Sequence, residues 1–285
     1  MSEQVVQGAV DSHVHLLPPR LARKVRAAFD AHGGAPLAYD TDPYTLLTDL
    51  ERVGVTAAWV LPYAHKPGVS EWLVPATAAH LDALRATHPT LGPGFELVLG
   101  ATVHPGDHDP VAVLRSAVEE HGARVLKLHC SVGGYQLDDP GLAGVWEACD
   151  AWRLPVVAHV GKHVGGTSGD HDLLEVAAVA ERHPELPLIV AHAAHPAVGA
   201  TLRTMERHPN VYADLTPVVT EVPELGTEAL LHHGRRLLFG SDAPNTGHRV
   251  GSLLARIAGT PVPAAVRDAI CGGNARRLLA GVRPG

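Results

Sequence analysis

Short runs of apolar residues alternate along the chain with longer stretches in which apolar positions recur at helical spacing. That alternation predicts βαβ units laid around a parallel sheet. The strand-length runs fall at residues 5–10, 57–61, 97–103, 125–128, 155–158, 186–191, 211–215 and 237–240. Between them, Asp109-Pro110 opens a helix over 111–120 and Asp139-Pro140 opens one over 141–152, each an N-cap carboxylate followed by proline at the first helical position. Further helices are predicted at 44–53, 70–87, 173–182, 198–207 and 263–279, and residues 18–32 read as an extra helix inside a long first connection. Eight such units suit a closed (β/α)8 TIM barrel. An open doubly wound sheet is the competing architecture, since counting strands does not reveal closure.

Composition supports a packed core. With 285 residues, 46% of them hydrophobic and 19% charged, the chain is not composed like a disordered or fibrous protein. Barrels of this kind use about 250 residues as one unit, so residues 1–285 are expected to form a single domain whose first βα loop, about 18–44, is long. A formal charge of −7 gives no reason to expect nucleic acid or an anionic membrane as partner. The sequence opens without a basic-then-apolar leader pattern, and no apolar stretch approaches the roughly 20 residues of a membrane span, so a cytoplasmic location is the default expectation. Cys130, Cys149 and Cys271 are scattered with no CxxC pair, which argues against a disulfide framework or a thiolate zinc site.

Histidine changes the picture, with 20 copies. His88, His183 and His208 each precede a proline at a predicted helix end and read as punctuation. Others stand at strand ends. Asp11-Ser12-His13-Val14-His15 follows the first run, and two residues apart on a strand points both imidazoles to one side. The fifth, sixth and eighth runs stop on His159, His192 and Asp242. A closed barrel would gather these positions on one rim, where imidazole and carboxylate suit zinc and similar divalent ions; the lack of cysteine ligands favours a catalytic site over a structural one. Lys127 lies inside the apolar fourth run with His129 on the same side, and a buried ammonium needs a partner.

As an ordered set these residues resemble the amidohydrolase superfamily, in particular the branch that includes aminocarboxymuconate semialdehyde decarboxylase. The resemblance runs from Asp11-Ser12-His13-Val14-His15-Leu16-Leu17-Pro18 through Val125-Leu126-Lys127-Leu128-His129, the segment 138–159, His192 and Gly240-Ser241-Asp242 to Gly273-Asn274-Ala275. It implies that His13, His15 and His159 bind the metal, that His192 is the catalytic histidine beside it, and that Asp242 both ligates the metal and handles the proton. In binuclear members a lysine on the fourth strand is carboxylated and bridges two metals; in the decarboxylase-like branch a similar lysine accompanies one. The surroundings of Lys127 are closer to the latter, so one divalent ion, zinc foremost, is expected in preference to two.

The loops add substrate candidates: Tyr63, His65 and Lys66 after the second strand, His104 after the third, Lys162 and His163 after the fifth, His195 after the sixth, and Asn245, His248 and Arg249 after the eighth. The glycine-rich stretch 161–169 reads as an active-site loop, and the first loop as a lid or a homodimer contact. Hydrolysis of an amide, lactam, lactone or ester-like bond in a small molecule is the first expectation, because metal-activated water needs least extra machinery. Non-oxidative decarboxylation of a small unsaturated or aromatic acid is the alternative on the same ligands, and a metal-holding barrel without turnover the third reading. Neither GxGxxG, GxxxxGK[ST] nor GxSxG occurs, which removes the usual warrant for nucleotide chemistry or a serine nucleophile.

Overall fold

All eight apolar runs contribute to one parallel sheet in sequence order: β1 (Ala9–Val14), β2 (Val55–Val60), β3 (Glu96–Thr102), β4 (Val125–His129), β5 (Val156–His159), β6 (Leu188–Val190), β7 (Val211–Asp214) and β8 (Leu237–Leu238). This computed structural model describes residues 7–31, 33, 36–88, 91–92, 94–160, 170–216 and 222–283. The intervening helices are α1 (Pro19–Ala31), α2 (Pro43–Arg52), α3 (Ser70–Thr87), α4 (Pro110–Glu119), α5 (Cys130–Gly133), α6 (Ala143–Trp152), α7 (Asp170–Arg182), α8 (Val198–Arg207), α9 (Thr227–His233), α10 (Val250–Ala258), α11 (Ala264–Asp268) and α12 (Asn274–Ala280).

The sheet closes on itself through the residues that follow β8. Ser12 N–H donates to Phe239 O at 3.0 Å, Asp242 N–H to His13 O at 2.8 Å and His15 N–H to Ala243 O at 2.8 Å. The architecture is therefore the (β/α)8 TIM barrel rather than an open sheet. Its interior is filled, not hollow: Val10, Trp59, Leu61, Val98, Val125, Val157, Ile189 and Leu238 pack together, with Leu278 and Leu279 of α12 joining them from below. The outward faces of the strands pack under the helices in a second, larger apolar layer. The signalled N-caps form as expected, Asp109 accepting from Ala112 N–H at 2.9 Å and Asp139 from Gly141 N–H at 2.8 Å.

Several boundaries differ for physical reasons. Expected at 5–10, β1 instead carries Asp11, Ser12 and His13 inside the strand, because most of their polar groups find partners there: Ser12 Oγ donates to Phe239 O, and Asp11 Oδ1 accepts from His13 and Ser241 N–H. β8 is cut to Leu237–Leu238, and Phe239 N–H turns to Ile270 O. The terminal helix expected over 263–279 is broken by a π turn, Ala269–Gly273. Three helices, α5, α9 and α10, lie outside the predicted ones. Among the described residues no helix is long and apolar enough to cross a membrane.

Candidate metal centre

The barrel seam builds the site. Those backbone bonds between β1 and the residues after β8 bring His13, His15 and Asp242 together, and their ligand atoms lie within 4.8 Å of one another. Asp242 sits in a left-handed conformation, φ 57°, which re-aims its side chain at the barrel mouth. Its Oδ1 is 3.0 Å from His15 Nε2 and 3.8 Å from His13 Nε2. Gly240 permits the approach: a Cβ there would stand 2.4 Å from Thr216 Oγ1 and 2.8 Å from His13 Cβ.

Hydrogen bonding settles which ring nitrogens face the carboxylate as lone pairs. His15 Nδ1 is 2.7 Å from the carbonyl of Leu61, which can only accept, so Nδ1 carries the proton. His15 Nε2 then faces a carboxylate oxygen at a separation that either a proton or a metal cation between them would satisfy. Two atoms each about 2.0–2.2 Å from one zinc ion are roughly 3–3.5 Å apart, close to the observed separation. Two imidazoles and a carboxylate with their outer nitrogens committed to other acceptors thus fit a divalent cation.

The remaining rim histidines form a continuous wall. His159 stacks on His129 with ring centroids 4.0 Å apart, and its Nδ1 is 3.2 Å from His192 Nε2. His192 Nδ1 donates to Thr216 O at 2.8 Å, and its ring lies 4.9 Å from that of His13. Lys127 is completely buried with Nζ 3.2 Å from His13 Nε2. Tyr63 stands edge-on to His15 and against His129, with centroids 5.4 and 5.1 Å away.

The other candidates are more distant from this cluster. His65 is exposed beside Lys66. His195 follows the His192 turn and returns its N–H to His192 O, and His104 Nε2 bonds Gly133 O. Arg249 lies over the Tyr39 ring and 3.8 Å from Asp49. Lys162, His163 and the rest of 161–169 lie outside the described residues. The first loop walls a cavity beside His15 that Leu17, Val25, Arg26, Tyr39, Pro244 and Asn245 line.

Burial sets much of the electrostatics. It pushes His13 down to about 3, helped by the Lys127 charge, drives His129 well below the usual imidazole range, and brings Lys127 down to about 8 against the pull of Asp214 and Asp242. Asp242 behaves oppositely: burial raises it, but the His15 hydrogen bond and the neighbouring histidines outweigh that and hold it below the carboxylate range. Tyr63 is raised by burial and by Asp242, so its hydroxyl stays protonated.

Two buried carboxylates escaped the sequence reading as chemistry. Asp214 ends β7 after Val211-Tyr212-Ala213, the same pattern of an apolar run stopping on a potential ligand that marked the other rim positions. Asp11 was visible only as part of the first motif.

The family model described as "Amidohydrolase" matches residues 10–281. No curated protein sequence matches the chain. Among solved structures, an uncharacterised TIM-barrel protein from Bordetella bronchiseptica superposes with a TM-score of 0.76 at 18% identity, over 96% of this chain and 99% of that one. A 2,6-dihydroxybenzoate decarboxylase complexed with 2,6-dihydroxybenzoate gives 0.72 at 16% identity, over 96% and 100%. A dihydroxybenzoic acid decarboxylase from Polaromonas, with manganese and 2-nitroresorcinol bound, gives 0.67 at 13% identity, over 96% and 97%.

Proposed function

The chain belongs to the amidohydrolase family, and from that premise we propose that it is a divalent-metal enzyme that removes CO2 from a small unsaturated or aromatic carboxylic acid. The observation that carries the metal reading is the convergence of two imidazole nitrogens, His13 and His15 Nε2, on Asp242 Oδ1, all within 4.8 Å of one another. His159, from β5 and hydrogen-bonded to His192, is the third imidazole of the proposed set, although its ligand atoms are not among the groups that lie within 4.8 Å of one another. When bound, the cation polarises a substrate oxygen and lowers the pKa of water towards about 7.

The chain's own groups supply the rest. The stacked His129–His159 pair with Tyr63 forms a flat wall suited to a planar acid. The bond from the ring or vinyl carbon to the carboxyl carbon breaks, CO2 departs, the electron pair stays on the carbon, and a proton takes its place. Asp242, ionised at rest, would take up a proton from solvent and pass it to that carbon, and His192 would orient the oxygen functions of the substrate. Hydrolysis, the first expectation from the sequence, uses the same groups with Asp242 taking a proton from water. Decarboxylation is placed ahead of it because relatives of the same barrel carry that activity in their names. Zinc is the expected ion for two imidazoles and a carboxylate, with manganese the next to try. One ion is expected, since Lys127 points its amine at His13.

The test is metal analysis of the purified protein, followed by assay of the zinc- and manganese-loaded forms on hydroxybenzoic acids, including 2,6-dihydroxybenzoate, and on lactones and amides. CO2 release that collapses in Asp242→Ala and His192→Asn with unchanged circular dichroism supports the proposal. Ring opening or amide cleavage without CO2 overturns it in favour of hydrolysis.

A further inference from the structure

Asp214 has no part in that chemistry, yet it is wholly buried beneath the site with each carboxylate oxygen committed to a different partner. Oδ2 lies 2.9 Å from His13 Nδ1. Oδ1 accepts the backbone N–H of His192 at 2.9 Å and of Thr216 at 3.2 Å. The carbonyl of Thr216 in turn accepts from His192 Nδ1. His192, Ala193 and Ala194 are all left-handed, with φ of 56°, 47° and 50°, a run that non-glycine residues keep only where the surroundings hold it.

We propose that Asp214 is a positioning residue of the metal centre: it locks His13 in the tautomer protonated on Nδ1, baring Nε2 towards Asp242, and pins the His192 turn with the same carboxylate. The inference rests on the reading of His13 as a metal ligand. An ionised carboxylate offers acceptors only, so His13 Nδ1 must donate, and Lys127 Nζ at 3.2 Å from Nε2 is placed to donate to the lone pair that remains. Carboxylates that bond the outer nitrogen of a metal-bound histidine orient the ring and raise its basicity; their loss costs about 10–100-fold in metal affinity.

The double commitment makes Asp214→Asn informative. An amide has one oxygen. The two backbone N–H groups aimed at Oδ1 will claim it, which leaves the NH2 group facing His13 Nδ1. A donor there forces Nδ1 to accept and moves the ring proton to Nε2, closing the nitrogen that faces Asp242, with side-chain volume almost unchanged.

The experiment combines nitrogen-15 histidine spectra of the metal-free protein with zinc affinity, measured by competition with a chromogenic chelator, for wild type, Asp214→Asn and His13→Ala. The expected result is an Nδ1–H tautomer for His13 in wild type, an Nε2–H tautomer in Asp214→Asn, and zinc binding at least about 10-fold weaker in that variant. An Nε2–H tautomer in the wild type overturns the proposal, and this arm stands even if the variant does not fold. Zinc binding lost in His13→Ala but within about threefold of wild type in Asp214→Asn, threefold being far short of the expected loss, overturns it alone. Absence of zinc and manganese binding in wild type overturns the metal reading and this proposal together.

Discussion

Replacing Asp11 by asparagine should change how stability depends on pH, in a direction the structure dictates. Asp11 is completely buried; Oδ1 accepts two backbone N–H groups, and Oδ2 has no hydrogen-bond partner among the described residues. Burial outweighs the hydrogen bonds from Ser241 and His13 and lifts the carboxyl from 3.8 to about 7. The unfolded chain gives up this proton near pH 4, whereas the native chain keeps it until about pH 7. Stability from this group is therefore fully present below pH 4 and is lost as pH rises through that window, at about 1.4 kcal/mol per unit. Between pH 5 and 8 the loss amounts to roughly two units, about 3 kcal/mol, or some 5–10 °C in Tm for a chain of this size. Asparagine has no proton to lose. The buried histidines contribute a slope of the opposite sign, but they are common to both proteins and cancel in the difference. The measurement is the Tm of chelator-treated wild type and Asp11→Asn at intervals from pH 5 to 8. The variant should gain on the wild type steadily across the range, whatever its offset at pH 5. Parallel curves would refute the claim that the native state holds Asp11 protonated.

Two further substitutions test other parts of the fold. Gly240→Ala drives a Cβ against Thr216 Oγ1 and His13 Cβ; overpacking of this kind costs about 1–3 kcal/mol, and displacement of His13 should weaken zinc binding, measurable by the same chelator competition, with unchanged affinity as the contrary result. Asn274 Nδ2 donates to both Gly234 O and Leu237 O at 2.7 Å beneath the barrel. Asn274→Ala orphans those carbonyls and should cost about 2–4 kcal/mol in denaturant unfolding while leaving zinc affinity alone; a loss under about 0.5 kcal/mol, the scale of an ordinary surface change, would count against it.

The rim positions were legible because the rule that finds them is simple: an apolar run is a strand, and a strand that stops on histidine or aspartate offers that side chain to the barrel mouth. The same rule applied to Val211-Tyr212-Ala213-Asp214 would have found Asp214, which was passed over because it belongs to no familiar motif. Polar residues inside β1 hid its true extent, since Asp11 and Ser12 look like the end of a strand until their partners across the seam are known. The left-handed run at His192 could not be read, because nothing in His-Ala-Ala announces a positive φ; the carbonyl and carboxylate that hold it come from another strand. The short helices α5, α9 and α10, of 4, 7 and 9 residues, were not legible, and no side chain caps any of their starts.

The seam that closes the barrel also sets when the site can exist. Ser241 and its Asp11 partner are separated by 230 residues, and the bonds that join them are the ones that carry Asp242 to the two histidines of β1. During synthesis, His13 and His15 leave the ribosome early and wait for a carboxylate that has not yet been made. Contacts so far apart in sequence form only after the intervening chain has been ordered. On the proposed reading, a metal ion that requires all three groups should bind weakly to any truncated barrel lacking β8 and tightly to the finished one, so metal occupancy would report that the ring has shut.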